Sequence, residues 1–268
     1  MDIHVNGVAL ITGAGSGIGR GLAKAAAARG MQVIATDVNE DYLKETKIIV
    51  GGDLTTYWLD VADERAIADF AKLVIPMFQG KSLYLFNNAG ISLVSGSFEN
   101  TELSDFRKLI NINVWGTISM TKYFLPHLLQ QNSGCIINIS SIFGLLGIAR
   151  QTAYCTSKFA VRGFTESLRM ELLGTGVKTL CVHPGAVQTN IVNDSLIGEH
   201  NTTKQRDKLA KAFRGFGGLT PDQAAETILK AVEVGEERLI LGQDAQEMYG
   251  LVAAMPVKYT AELAKTVG

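Results

Sequence analysis

The sequence predicts a doubly wound α/β fold, a seven-stranded parallel sheet with helices on both faces. Three observations carry that expectation. Short apolar runs alternate with longer helical patterns from one end of the chain to the other. The strand candidates are apolar nearly throughout, as strands covered on both faces must be. A glycine cluster follows the first of them and opens a helical stretch.

The elements follow in order. "VALIT" (8–12) is the first strand candidate, and "GIGRGLAKAAAARG" (17–30) the helix after it. The alanines of that helix let helix and sheet approach closely. "QVIATD" (32–37) precedes a short helical stretch. "TYWLDV" (56–61) leads into "DERAIADFAKLVIPMF" (63–78), and "SLYLFNNAG" (82–90) into a helix from about Asp105 to Leu129. "GCIINISS" (134–141) precedes a helix over about 153–173, and "VKTLCVHPG" (177–185) follows it. "PDQAAETILKAVE" (221–233) and "ERLILG" (237–242) close the pattern. No linker, repeat or low-complexity tract interrupts it. Residues 1–268 are therefore read as a single catalytic domain with right-handed crossovers. Residues 190–220 break the rhythm, and connections of that length are lids or binding segments more often than plain loops.

Composition excludes several function classes. The chain has 268 residues, 25 Lys plus Arg against 26 Asp plus Glu, and a formal net charge of -1, so no basic surplus points to nucleic acid. Apolar residues make up 47% and the mean hydropathy is +0.16, ample for a core. Cys135, Cys155 and Cys181 form no C-x-x-C pair, and His4, His127, His183 and His200 are scattered, so neither a disulfide framework nor a metal site is expected. Cys135, Cys155 and Cys181 read as packing, as do Trp115, expected to bury against neighbouring helices, and Trp58 on a strand. No run approaches the ~20 apolar residues of a membrane span. "MDIHVNGVALITG" lacks the charge and apolar stretch of a signal peptide, which leads to a cytoplasmic expectation.

"TGAGSGIG" (12–19) is the first chemical motif. Glycines at 13, 17 and 19 permit a tight turn, and backbone N–H groups at a helix N-terminus can approach a pyrophosphate. Gly13, Ser16, Gly17, Ile18 and Gly19 are the residues expected at that group. Asp37 ends the second strand candidate twenty residues after Gly17, where a carboxylate accepts from the ribose hydroxyls and repels a 2′-phosphate. Val38 and Asn39 supply no cation for such a phosphate, and Arg20 lies inside the helix. The charge balance favours NAD over NADP.

A second motif, Tyr154-x-x-x-Lys158, puts a phenol and an amine one above the other on a helix. With Asp60-Val61, "NNAG" (87–90), "NVWG" (113–116), "NISS" (138–141) and "PGAVQT" (184–189) in the same order, the chain resembles the short-chain dehydrogenases/reductases. That resemblance implies a Rossmann fold, a nicotinamide cofactor and a set of residue roles. Tyr154 is the implied acid/base and Lys158 its activator. Ser141, thirteen residues before the tyrosine, is implied to hold the reacting oxygen, in preference to Ser140. Asn113 completes a proton relay. Asp60 and Val61 flank the adenine, while Asn88, Ala89 and Gly90 line the adenosine side. Pro184, Gly185, Val187 and Thr189 reach the nicotinamide. A homodimer or homotetramer is implied, through the helices at about 105–129 and 153–173.

The chemistry explains the residue types. Hydride transfer belongs to the nicotinamide, and the protein moves a proton at the substrate oxygen. A free tyrosine has a pKa of ~10, and bringing it to ~7 takes ~4 kcal/mol of differential stabilisation. A nearby amine and the positive nicotinamide are expected to supply it. The Ser141 hydroxyl both donates and accepts, so it suits ketone and alcohol alike. His183, before "PG", reads as a packed or backbone-bonded histidine. The apolar stretches "SIFGLLGIA" and "NIVNDSLIG" point to a substrate with hydrocarbon arms. Leu209, Phe213 and Phe216 recur along residues 204–216 with Lys204, Arg206, Lys208, Lys211 and Arg214 between them, as in an amphipathic lid helix. A sharper reading of that helix has it cover a lipophilic substrate and meet a membrane surface or an acidic acyl carrier. The expected activity is hydride transfer between NAD(H) and a secondary alcohol or ketone, with a small to medium apolar substrate. The alternatives are a 3-oxoacyl thioester reductase and a non-catalytic NAD-binding scaffold.

Overall fold

In the computed structural model, residues 7–267 are described except 53, 79, 216 and 217, and side chains are not described at 212–217 and 265–267. The strands are β1 (Gly7–Thr12), β2 (Gln32–Asp37), β3 (Leu54–Trp58), β4 (Ser82–Asn87), β5 (Leu93–Val94), β6 (Gly134–Ile139), β7 (Val177–Pro184), β8 (Leu196–Ile197) and β9 (Arg238–Leu241). The helices are α1 (Gly17–Ala28), α2 (Glu40–Val50), α3 (Glu64–Val74), α4 (Leu103–Ile110), α5 (Gly116–Gln131), α6 (Thr152–Glu171), α7 (Thr203–Gly215), α8 (Pro221–Val234), α9 (Gln243–Ala254) and α10 (Tyr259–Val267).

Seven strands form one parallel sheet in the order β3-β2-β1-β4-β6-β7-β9. The chain winds outward from β1 through β2 to β3, then returns to start β4 on the other side of β1. That reversal leaves a crevice at the carboxyl ends of β1 and β4, where ligands bind in open α/β sheets. The pleat divides β1 between two cores. Ala9 and Ile11 join the layer under α1 and α8, while Val8 and Leu10 join the layer under α3, α5 and α6. With period 2, a one-residue slip would exchange the two sets, so the register Val8↔Gln32 and Val8↔Leu83 is set by both layers together.

Helix starts follow local chemistry. Asn39 accepts from the Asp41 and Tyr42 amides to cap α2, and Asp63 accepts from Ala66 N to cap α3. Thr220 and Gln223 form a reciprocal capping box on α8, with Pro221 in its first turn. The small residues of α1 have the expected effect: a Cβ at Gly21 would lie 2.6 Å from the Pro221 carbonyl of α8.

Several expectations need correction. The third strand ends at Trp58, so Asp60 and Val61 lie in the turn beyond it. The helix expected over about 105–129 is α4 and α5 joined by a π-turn at Asn111–Trp115, whose extra residue is absorbed within a single wide turn. That turn carries Asn113 and Val114 inward and leaves Trp115 57% exposed, so Trp115 does not bury against neighbouring helices. Residues 190–220, expected as a lid, contain ordered elements of their own. β8 pairs with β5 as a small parallel ribbon, Leu93↔Leu196 and Val94↔Ile197, and α7 follows. The 220 end is tied by a bridge between Val187 and Leu219. Beyond β9, α9 and α10 have no counterpart in the expected pattern. Among the described residues no helix is long and apolar enough to cross a membrane, and no group of three or more His, Cys, Asp or Glu could hold a metal.

Candidate active site

The glycine turn sits in the crevice between β1 and β4. Gly17 has φ +51°, a left-handed conformation that disfavours a side chain. A Cβ at Gly19 would lie 2.1 Å from the Gly13 carbonyl, so only glycine lets α1 start against the turn. Ser16 is the N-cap but makes no side-chain capping bond, which leaves the first N–H groups of α1 uncovered by any side chain. Ile18 packs its half-buried side chain on the core below. The turn is braced from β4: Thr12 Oγ1 accepts from the Asn88 and Ala89 amides at 3.1 and 3.0 Å, and Asn88 Nδ2 donates to the Thr12 and Gly13 carbonyls. Asn88 thus reads as a strut of the turn. This cradle, with a helix N-terminus facing it, fits a dinucleotide pyrophosphate.

The adenosine end is built around Asp37. Its Oδ2 accepts from the Gly15 amide at 2.9 Å and its Oδ1 from the Asn39 amide at 2.9 Å. A carboxylate has about four lone-pair sites, so capacity remains for hydroxyls of a ligand. Arg20 is committed elsewhere. Its Nε donates to Thr46 at 2.9 Å, it pairs with Glu45 at 2.8 Å, and it donates to the Gly15 carbonyl. Leu59 N donates to the Asp37 carbonyl, which brings the Asp60–Val61 turn alongside. Asp60 Oδ1 accepts from Ala62 N, and buried Val61 packs on Gly116.

The catalytic candidates meet at the carboxyl ends of β4 and β6. The π-turn aims Asn113 at the chain beyond "NNAG": Oδ1 accepts from Ile91 N at 2.8 Å, and Nδ2 donates to Ile91 O at 2.9 Å and to Ser157 Oγ at 3.1 Å. Ser157 Oγ in turn donates to the Tyr154 carbonyl. Both amide protons of Asn113 are therefore spent on structure, and it holds α6 against the end of β4. A Cβ at Gly90 would lie 3.2 Å from Asn113 Oδ1 and 3.5 Å from Lys158 Nζ, so these three residues are neighbours.

The two serines separate cleanly. Ser140 Oγ donates to the Lys158 carbonyl and is buried in the helix contact. Ser141 caps the short turn Ile142–Gly144 through Phe143 N, and its hydroxyl lies near enough to the Tyr154 phenol to oppose the rise in that group's pKa. His183 is fully buried, with Nδ1 2.9 Å from the Ser141 carbonyl. A carbonyl only accepts, so Nδ1 carries the proton. Burial holds this imidazole at a pKa of about 4, and it reads as backbone-bonded.

Burial sets the electrostatics of the Tyr154 and Lys158 pair in the chain by itself. Lys158 is buried, its Nζ donates to Ile139 O at 3.0 Å, and burial lowers its pKa to about 8. Its Nζ lies 5.5 Å from the Tyr154 ring centroid, over the ring face. The phenol is pushed up to about 12 by burial, opposed by the hydrogen bond with Ser141. In the chain by itself, desolvation outweighs the neighbouring amine at this phenol.

The remaining expected residues lie on the arm after β7. Pro184 ends that strand, and Gly185 N donates to Leu241 O. A Cβ at Gly17 would sit 3.0 Å from Thr189 Cγ2, so the arm carrying buried Val187 and Thr189 lies over the glycine turn. Asp244 was missed by sequence reading. Its Oδ2 accepts from Ala186 N at 2.7 Å and fixes the root of this arm. The expected apolar face of residues 204–216 is only partly in view: Leu209 is 36% exposed, while the side chain of Phe213 and all of Phe216 lie outside the described residues.

Comparisons with known proteins place this geometry. The family model described as short chain dehydrogenase matches residues 7–199. Mycobacterium tuberculosis SadH, named as an oxidoreductase, is 37% identical over 258 residues, covering 94% of this chain and 92% of that protein. A Burkholderia cenocepacia short chain dehydrogenase solved in complex with NADP superposes with a TM-score of 0.80 at 26% identity, over 98% of this chain and 99% of that one. A Burkholderia phymatum short chain dehydrogenase/reductase solved in complex with NAD superposes with a TM-score of 0.79 at 27% identity, over 89% of each chain.

Proposed function

We propose, from the premise that the chain belongs to the short-chain dehydrogenase family, that this oxidoreductase carries hydride between NAD(H) and a secondary alcohol or ketone of apolar character. The single observation that carries the reading is the meeting of Ser141, Tyr154 and Lys158 beside the glycine cradle. When bound, a nicotinamide supplies the hydride acceptor or donor. The rest falls to this chain. Ser141 and Tyr154 place two hydroxyls on one substrate oxygen, and Tyr154 gives or takes the proton there. A phenol held at about 12 is protonated at neutral pH, the form that reduction of a ketone consumes. Alcohol oxidation needs the phenolate, and Lys158 is the cation at hand to stabilise it.

Asp37 supports NAD over NADP, because a 2′-phosphate would meet its carboxylate while Arg20 is held by Glu45, Thr46 and Gly15. Residues 1–268 are read as one catalytic domain in the cytoplasm, with 190–220 as a substrate lid and a homodimer or homotetramer as the working form. Exposed Lys204, Lys208 and Lys211 on α7 favour one second reading, a 3-oxoacyl thioester reductase whose substrate arrives on an acidic carrier. The test is loss of reduced-nicotinamide absorbance with NADH or NADPH, across aliphatic ketones and 3-oxoacyl thioesters. Turnover of apolar ketones with NADH is expected. No turnover of any carbonyl with either cofactor refutes the reading, and preference for thioesters selects the second.

A further inference from the structure

The loop that leaves Ser141 is held from outside by the end of the chain. Ile142, Leu145 and Leu146 form one buried cluster with Ala245 of α9, and Tyr259 and Leu263 of α10 pack against it. A polar bond crosses this apolar contact: the Gly147 amide donates to the Tyr259 hydroxyl at 3.1 Å, across 112 residues of sequence. The same loop carries Phe143, which stands edge-on to the Tyr154 ring with centroids 6.3 Å apart and planes at 89°. A continuous line of contacts therefore runs from α10 through Tyr259, the loop and Phe143 to the phenol. The loop lies between the carboxyl end of β6 and the start of α6, so its position decides what can stand beside the Ser141 and Tyr154 hydroxyls.

We propose that Tyr259 is a positioning residue of the active site, its hydroxyl holding Gly147 so that loop 142–148 keeps Phe143 against Tyr154. The proposal deepens the dehydrogenase reading, on which it rests for what the site does. The bond belongs to the hydroxyl alone, since the ring would remain in the cluster without it.

Tyr259→Phe removes that oxygen and keeps the ring. A neutral hydrogen bond of ordinary strength corresponds to about a fivefold effect. Amide exchange of Gly147 is expected to quicken by about that factor in the variant. The ketone KM is expected to rise about fivefold while kcat changes by less than about twofold. The Kd for NADH, from fluorescence titration, is expected to stay unchanged. Unchanged exchange at Gly147, an unchanged KM, or an NADH Kd that rises in step with KM overturns the proposal. A wild-type protein that turns over no carbonyl refutes the dehydrogenase reading instead, and the exchange measurement still decides the strut.

Discussion

The Lys158 ammonium lies over the face of the Tyr154 ring, 5.5 Å from its centroid, while donating to the Ile139 carbonyl. The two side chains share a helical face, as their four-residue spacing requires, yet the amine is anchored to the strand end rather than to the phenol oxygen. Lys158 therefore holds a buried positive charge at a fixed place beside the reacting group. The phenol meanwhile stays protonated, because burial dominates its pKa.

Tyr154→Phe is expected to lower kcat by about 10³-fold, the scale of a lost positioned acid/base. The ring keeps its edge contact with Phe143, so NADH affinity should stay within about twofold in a fluorescence titration. Substantial residual turnover would remove Tyr154 from the chemistry.

Lys158 makes a prediction about stability against pH. Its folded pKa, about 8, is below its ordinary value of 10.5, so the unfolded chain binds the extra proton between those values. Stability from this group therefore rises with pH from about 8 to 10.5, and the penalty of the buried charge is fully present below that window. Lys158→Met removes the charge. Its Tm relative to wild type should be highest near pH 7 and decline as pH rises through the window, while turnover is lost throughout. A Tm difference that does not change with pH would show that the amine keeps its ordinary proton affinity in the fold.

Tyr154 acts in the opposite sense at higher pH. Its folded pKa, about 12, is above the ordinary 10.0, so its contribution is complete below pH 10 and is lost as pH climbs from 10 to 12. Tyr154→Phe should flatten that part of the alkaline unfolding curve. An unchanged curve would place the phenol in a wetter setting than this one.

Asp37→Ala should narrow the ratio of NAD to NADP turnover by at least about tenfold, the equivalent of ~1.4 kcal/mol. The same change frees the Gly15 and Asn39 amides from their carboxylate, so NAD affinity itself should fall. Steady-state rates with each cofactor measure both effects. A wild-type preference for NADP would overturn the assignment.

Asn113→Ala should be destabilising by about 2 kcal/mol, since it leaves the backbone N–H and C=O of Ile91 unpaired in a partly buried setting. Ser157→Ala should cost less, about 1 kcal/mol, because it loses the contact from Asn113 and a bond within α6 without stranding Ile91. Urea unfolding of the two variants checks the order. Equal midpoints would mean that Asn113 is not the clasp between β4 and α6.

Some of this is legible in the residues alone. The second strand falls where its apolar run predicted, and β1, β4, β6 and β7 fall within a few residues of theirs. His183 is backbone-bonded as expected. Other features left no readable signal. The π-turn at 111–115 has the same apolar spacing as a plain helix, so the outward turn of Trp115 was not visible. Asp244 and Tyr259 act through partners 58 and 112 residues away, and no local pattern marks such bonds.

What the sequence determined by itself is whatever depends on near neighbours. That covers the alternation of strand and helix, the tightness of the glycine turn, and the shared face of Tyr154 and Lys158, because backbone geometry and side-chain period act over a few residues. Only the tertiary structure decided the charge state of that pair. Proton affinity follows from how much protein surrounds a group and where its partners lie, and both come from segments far apart in the chain. Burial raised the phenol, which packs with Leu93, Leu109 and Leu196, and lowered the amine, which is tied to the end of β6, and the sequence carries no local mark of that burial.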